Sequence, residues 1–236
     1  MPKLKTLIAR LKKEYGEPRP PPAVGPFELV LWENACYLLP DERRARVFEG
    51  LRLEVGLTAH AIWNATDEVL LPLAKMGGMR PELRVSRWRE IARITLTQFD
   101  GDLGAVLKFP LPQARKALKQ FPSIGDPGAE KILLFCGIAS NLPLESNGLR
   151  VLTRVGFGAE QKNYVATYRS VQQALAVDLP ADPKQLLRAH LLLREHGQTL
   201  CRRENPLCSQ CPVSDECGYP FKQQLGWSRP KLAPLD

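Results

Sequence analysis

Cys201, Cys208, Cys211 and Cys217 crowd four thiols into seventeen residues with the spacing C-x6-C-x2-C-x5-C. Thiolates this close on a loop-rich segment can converge on one soft metal centre, because each short spacer has only to turn the chain. Three chemistries compete for them. Disulfides belong to oxidising compartments, and nothing at the N-terminus resembles a secretion signal. Structural zinc is usually held by two C-x2-C knuckles, and this chain has one, Cys208-Ser-Gln-Cys211. A [4Fe-4S] cluster on four cysteines fits the spacing best. The other two cysteines, Cys36 and Cys136, lie in apolar sequence and read as small buried hydrophobes.

Two further stretches carry chemistry. Leu118-Lys-Gln-Phe-Pro-Ser-Ile-Gly-Asp-Pro-Gly-Ala129 reads as a tight hairpin that opens a helix. Backbone N–H groups at such a turn, together with the positive end of the helix dipole, can hold a phosphate. Asp126-Pro127 reads as the N-cap and first residue of that helix. The second stretch, Leu144-Glu-Ser-Asn-Gly-Leu-Arg-Val-Leu-Thr-Arg154, places Glu145 at a helix start, where the dipole favours a carboxylate.

Together these stretches resemble the endonuclease III and MutY branch of the helix-hairpin-helix DNA glycosylases, from about Pro26 to Tyr219. The cysteine spacing, just after His196-Gly197, is similar to that branch's cluster loop. The hairpin is similar to its L-P-G-[VI]-G element, with Ser123 at the first glycine and Gly125 at the second. Leu144–Arg154 is similar to the MutY form L-D-G-N-V-x-R-V-L-x-R; Asn147 and Arg150 match, and Glu145 stands where the catalytic Asp would be. The resemblance implies a [4Fe-4S] cluster on Cys201, Cys208, Cys211 and Cys217, and DNA contacts from Ser123, Gly125, Gly128, Lys131, Asn147 and Arg150. It also implies that Glu145 supports an oxocarbenium-like sugar and orients the attacking water. Counted from Pro26, Glu33 falls where MutY-type enzymes carry the acid that protonates the departing base. Bifunctional relatives place a nucleophilic Lys two residues after the second hairpin glycine. That position is Pro127, so no efficient β-lyase step is expected; Lys131, one turn on, could in principle substitute. The polar wedge of endonuclease III relatives falls on Leu38.

The elements that must position these residues are helical throughout. The sequence has 236 residues, 44% hydrophobic and 25% charged, ordinary for a globular chain with one or two domains. Its net charge of +8 and pI near 9.3 suit a phosphate-rich partner. No apolar run approaches the roughly 18 residues of a membrane helix. Apolar residues recur at helical spacing from Leu4 to Leu11, Asp41 to Leu53, Arg84 to Phe99, Leu111 to Lys119, Tyr164 to Leu175 and Pro183 to His196. A helix also opens at Pro26, and Thr58 to Leu73 reads as one or two short helices with Thr66 as a cap. Glu17-Pro-Arg-Pro-Pro-Pro-Ala is a stiff linker, Gly77-Gly78 breaks the pattern, and Gly137 reads as a C-cap. His190, on the apolar stripe of Leu186, Leu187, Leu191 and Leu193, reads as a core histidine.

The expected fold is all-α with two helical lobes and a DNA-binding cleft between them. Residues 26–140 would form a six-helix domain with the hairpin at about 112–137. Residues 1–25 and 141–236 would form the cluster domain, with its loop at 201–217. The leading function is a monofunctional DNA glycosylase of base-excision repair, acting on a damaged or mispaired base in double-stranded DNA. A catalytically weak or inactive protein that binds lesions or abasic sites is the alternative. A monomer with no membrane association, in the cytoplasm, completes the expectation.

Overall fold

A computed structural model of the chain describes residues 3–37, 39–138 and 141–219. Every regular element among them is a helix, and the chain forms two compact units, Pro20–Ala139 and Met1–Arg19 with Ser140–Asp236. Leu38 and the tail from Lys222 lie outside the described residues. No helix among the described residues is long and apolar enough to cross a membrane.

Pro20–Ala139 contains α2 (Gly25–Ala35), α3 (Asp41–Glu54), α4 (Ala59–Asn64), α5 (Asp67–Met76), α6 (Pro81–Gln98), a 3-10 turn over Leu103–Lys108, α7 (Leu111–Leu118) and α8 (Asp126–Phe135). Proline at the first or second position starts α2, α6, α7 and α8, where its missing N–H costs nothing. That explains why α6 begins at Pro81, three residues before the apolar pattern suggests. The Thr58–Leu73 stretch forms two helices. Thr58 caps α4 by accepting from the Ala61 N–H at 3.2 Å. Thr66 stands at the N-cap of α5, but its side chain makes no cap hydrogen bond. The core gathers Trp32, Phe48, Leu51, Ile62, Leu70, Trp88, Ile91 and Ile132, with Trp32 edge-on to Phe48 at 5.5 Å. Gly137, at φ +79°, closes α8: the Ile138 N–H reaches back to the Leu133 carbonyl at 3.0 Å, and only a residue tolerant of the left-handed region makes that turn cheaply.

The other unit contains α1 (Leu4–Tyr15), α9 (Ser146–Val155), α10 (Tyr164–Leu175) and α11 (Pro183–Thr199), followed by 3-10 turns at Cys208–Gln210 and Ser214–Glu216. Leu4, Leu7 and Leu11 bury one face of α1, which packs on α11. The α11 stripe is centred on Leu186, Ala189, His190, Leu193 and His196, with Leu187 and Leu191 at its half-buried margins. His190 is a core histidine, its Nδ1 2.8 Å from the Pro143 carbonyl oxygen. Against α9, α11 presents Gly197, where a Cβ would come within 2.7 Å of Asn147 Cβ and 2.9 Å of its carbonyl oxygen. Only a residue without a Cβ lets the two helices approach so closely, and that approach brings the Leu144–Arg154 stretch to the cysteine loop.

Candidate functional site

In the unit Pro20–Ala139, α7, the turn after it and α8 form the hairpin. Ser123 is exposed and adopts φ +61°, the left-handed region where a Cβ crowds the backbone. From α2, buried Asn34 donates its Nδ2 to the Pro122 carbonyl at 2.9 Å and to the Val30 carbonyl at 3.0 Å, so the turn is tied to the core at its tip. The helix start differs by one residue from the sequence reading. Gly125 is the N-cap, and Asp126 and Pro127 follow as the first two helical residues. The reason lies in the Asp126 side chain, which pairs with Lys119 at 2.7 Å instead of folding back onto the helix N–H groups. The turn is therefore less burdened by this acid than its position suggests. Gly125 and Gly128 lie at the first turn of α8, and a Cβ at Gly128 would meet Ile124 only at an ordinary 3.5 Å.

The strain at Ser123 is testable. Ser123→Gly removes a left-handed penalty of roughly 1–2 kcal/mol, partly offset by the greater freedom of glycine in the unfolded chain. Thermal unfolding should shift upward by about 2 °C. A downward shift would mean that the Ser123 side chain makes a contact worth more than the strain.

Lys131 does not project freely from α8. Its Nζ lies 2.6 Å from Glu33 Oε2 on α2, with both side chains 18% exposed. The structure thus joins two candidates that lie 98 residues apart. An ammonium so close favours the ionised carboxylate, so Glu33 faces its surroundings as half of an ion pair. A few residues away, Glu130 pairs with Arg115 at 3.2 Å.

In the unit of Met1–Arg19 with Ser140–Asp236, Glu145 is the N-cap of α9. Its Oε1 accepts from the Gly148 N–H at 2.7 Å and its Oε2 from Asn147 Nδ2 at 2.8 Å. The half-buried carboxylate is thereby fixed over a helix N-terminus, an environment that suits negative charge. Asn147 Oδ1 accepts in turn from Arg150 Nη2 at 2.7 Å. Arg150 also donates to the carbonyls of Gly197 at 2.7 Å and Cys201 at 2.9 Å. Burial pulls the Arg150 guanidinium below its ordinary range. Arg150 is therefore a structural brace between α9 and the cysteine loop, and a continuous hydrogen-bonded path runs from Glu145 to Cys201.

Cys201, Cys208, Cys211 and Cys217 all line one cavity, walled by Val155, Leu200 and Val213, with Arg154 and His196 also facing it. Each is a free thiol. Among the described residues no three His, Cys, Asp or Glu side chains converge as they would on a single ion. Four thiols lining one cavity are the donor set that a [4Fe-4S] cluster takes. Arg154 supplies the positive charge such a thiolate-rich centre needs. Its Nη1 lies 3.3 Å from Cys201 Sγ and 2.7 Å from the Arg202 carbonyl oxygen, and its Nη2 lies 3.1 Å from that of Arg203. Its guanidinium carbon sits 3.9 Å from the Tyr219 ring centroid. Burial pushes the Cys211 thiol up to about 11 and raises Cys208 and Cys217. A metal inverts that tendency, because its charge deprotonates the thiols it binds. The donor set fits a cluster.

The Arg202 Nε folds back onto the Thr199 carbonyl at 2.7 Å, and the backbone carbonyls of Arg202 and Arg203 serve Arg154. Sequence reasoning missed three residues that shape the loop. Arg154 is one; Tyr15 and Arg10 on α1 are the others. Arg10 pairs with Asp215 at 2.8 Å and Glu216 at 2.8 Å, and its guanidinium holds the Asp215 carboxyl below the usual range. Tyr15 Oη lies 2.8 Å from His196 Nδ1. No local signal marks such pairs, since about 200 residues separate their partners.

One unit carries a helix-hairpin-helix element, and the other carries a carboxylate fixed at a helix start and a four-cysteine loop. No family model matches the chain. It is 26% identical over 181 residues to endonuclease III of Sulfolobus acidocaldarius, covering 76% of this chain and 75% of the relative. It is 25% identical over 216 residues to endonuclease III of Thermotoga maritima, covering 90% of this chain and 93% of the relative. A solved non-covalent endonuclease III–DNA complex superposes with a TM-score of 0.75 at 17% identity, over 95% of this chain and 100% of that one. The chain is thus similar in sequence to endonuclease III proteins and shares the fold of the endonuclease III–DNA complex.

Proposed function

We propose that this chain is a monofunctional DNA glycosylase of base-excision repair, which extrudes a damaged or mispaired base from duplex DNA and hydrolyses its N-glycosidic bond. The observation that carries the reading is the Glu145 carboxylate, locked by Gly148 and Asn147 at a helix N-terminus. A fixed negative charge there can stabilise positive charge on a deoxyribose as the base departs, and it can orient a water for attack. The turn around Ser123, Gly125 and Gly128 would hold a DNA phosphate through its N–H groups. Pro127 offers no amine, and Lys131 is engaged by Glu33, so neither is poised as a Schiff-base nucleophile. The same ion pair argues against Glu33 as the proton donor to the leaving base, since it stabilises the carboxylate over the acid. The partner is lesion-bearing double-stranded DNA.

Cys201, Cys208, Cys211 and Cys217 would hold a [4Fe-4S] cluster, which when bound supplies a rigid centre that orders the loop and one-electron chemistry. Arg154 and Arg150 tie that loop to α9 and so to Glu145.

One observation favours a second reading, a lesion-binding protein with little turnover. Both Glu145 oxygens are already committed, and the side chain is one methylene longer than the family's Asp. A single assay separates the two. Protein purified without oxygen is incubated with end-labelled duplexes bearing adenine opposite 8-oxoguanine, G·T, uracil, oxidised pyrimidines, alkylated bases or an abasic site, and each sample is split with and without hot alkali. Strand breaks only after alkali are expected on at least one of the duplexes that retain the lesion base, beyond a protein-free control. Breaks without alkali would remove the monofunctional assignment, and tight lesion binding without breaks would leave the binding protein.

A further inference from the structure

His196 sits at the end of α11, 1% exposed, with its two ring nitrogens facing different elements. Nδ1 lies 2.8 Å from Tyr15 Oη on α1, and Nε2 lies 3.6 Å from Cys211 Sγ. The Thr199 hydroxyl, 3.1 Å from Tyr15 Oη, also reaches the Glu195 carbonyl oxygen at 2.9 Å, an acceptor to which only the hydroxyl can donate. Arg10, on the same helix as Tyr15, clamps Asp215 and Glu216 two turns of loop away. Helix α1 therefore touches the cysteine loop at two points, one electrostatic and one through an imidazole.

Proton accounting gives the imidazole contact its meaning. A neutral imidazole has one N–H and one bare nitrogen. A cysteine that binds metal has lost its S–H, so the contact between Nε2 and sulfur can be a hydrogen bond only if Nε2 carries the proton. Nδ1 is then bare, and the Tyr15 hydroxyl, 2.8 Å away, donates to it. With Cys211 as a free thiol the order reverses, since S–H can donate to a bare Nε2. Metal loading removes the thiol proton and selects one tautomer.

We propose that Tyr15 and His196 are positioning residues for the metal centre: with metal bound, His196 takes the Nε2–H tautomer, Tyr15 supports it by donating to Nδ1, and the Nε2–H donates to Cys211 Sγ and sets the reduction potential and retention of the cluster. The inference rests on the reading that the four cysteines hold a [4Fe-4S] cluster. A hydrogen bond to a ligating sulfur withdraws electron density from it and favours the reduced cluster, and residues that orient a ligand in this way tune metal affinity from one shell out. Tyr15, far from the loop in sequence, becomes part of the metal site through one imidazole.

The test uses the full chain purified without oxygen. Iron and acid-labile sulfide are counted, the cluster midpoint potential is measured by voltammetry, and iron release to a chelator is followed. Variants are Tyr15→Phe, which removes only the hydroxyl, His196→Leu, which removes the donor, and His196→Gln, which keeps an N–H near the Nε2 position. Tyr15→Phe and His196→Leu should move the potential to lower values and weaken iron retention about 10-fold. His196→Gln should recover much of the shift. Wild-type potential in Tyr15→Phe and His196→Leu samples that still contain iron and sulfide overturns the inference alone. Faster iron loss with an unmoved potential in the loaded fraction also overturns it, because it leaves only a packing role. Wild-type protein without iron and sulfide defeats the cluster reading, and the inference with it.

Discussion

Glu145→Gln is expected to lower the rate of base release roughly 100- to 1000-fold, about 3–4 kcal/mol of transition-state stabilisation, on whichever lesion the wild-type protein processes. The amide keeps an oxygen to accept from the Gly148 N–H, so the α9 cap survives. Its new NH2 group, however, faces Asn147 Nδ2, which cannot turn round because its oxygen already accepts from Arg150. One unmatched donor pair costs about 1 kcal/mol and lowers the unfolding temperature by about 2–4 °C. The rate loss should therefore far exceed the stability loss. Glu145→Asp separates charge from geometry: it restores the charge with the family's shorter side chain and should stay within about tenfold of wild type, or exceed it. Single-turnover measurements with and without alkali check both variants. A Glu145→Gln enzyme with unchanged base release would remove Glu145 from the reaction and with it the chemical basis of the proposed function.

What could be read in the sequence follows the range of the interactions concerned. Helices came from apolar periodicity, a local property, and their starts were displaced only where proline or a rival ion pair intervened. At Pro81 the ring preorganises the first turn before any apolar residue appears. At Asp126 the pull of Lys119 moves the cap back to Gly125. The four cysteines lie within seventeen residues, so their gathering was visible, as was the Glu145–Asn147–Arg150 set along one turn of helix. Contacts made by folding were not. Glu33 and Lys131 were each weighed alone, one as an acid and one as an amine, and their meeting changes the reading of both. Arg10 lies among the apolar repeats of Leu4 to Leu11 and Tyr15 just beyond them, with nothing local to mark either. In the structure Arg10 is spent on Asp215 and Glu216, and Tyr15 on His196. The Gly197 requirement was hidden for the same reason, since only the approach of Asn147 shows that a Cβ cannot fit.

Arg154→Met should empty the proposed metal site. Arg154 is 7% exposed and has no carboxylate partner among the described residues; its guanidinium is spent on the carbonyls of Cys201, Arg202 and Arg203, on Cys201 Sγ and on the Tyr219 ring. Its own carbonyl oxygen lies 3.3 Å from Cys217 Sγ. One residue thus binds both ends of the cysteine loop, the first thiol through its side chain and the last through its backbone. Methionine fills similar volume but donates nothing, leaving several carbonyls without partners in a half-buried loop. Charge-assisted hydrogen bonds contribute about 1.5–3 kcal/mol each and are not additive, so a net loss of roughly 3–5 kcal/mol is expected for the variant. The electrostatic loss points the same way, because four thiolates gathered around one cavity repel each other unless a cation stands among them. Iron per chain should fall well below wild type, with a lower unfolding temperature. Arg154→Lys, with the charge but not the planar fork, should fall between the two. Full iron content in Arg154→Met would show that the cysteines fix the loop unaided and that the guanidinium is only packed against it. Loss of iron in Arg154→Met with retention in Arg154→Lys would instead assign the dominant role to charge, and equal loss in both would assign it to the fork of hydrogen bonds that spans residues 201–203.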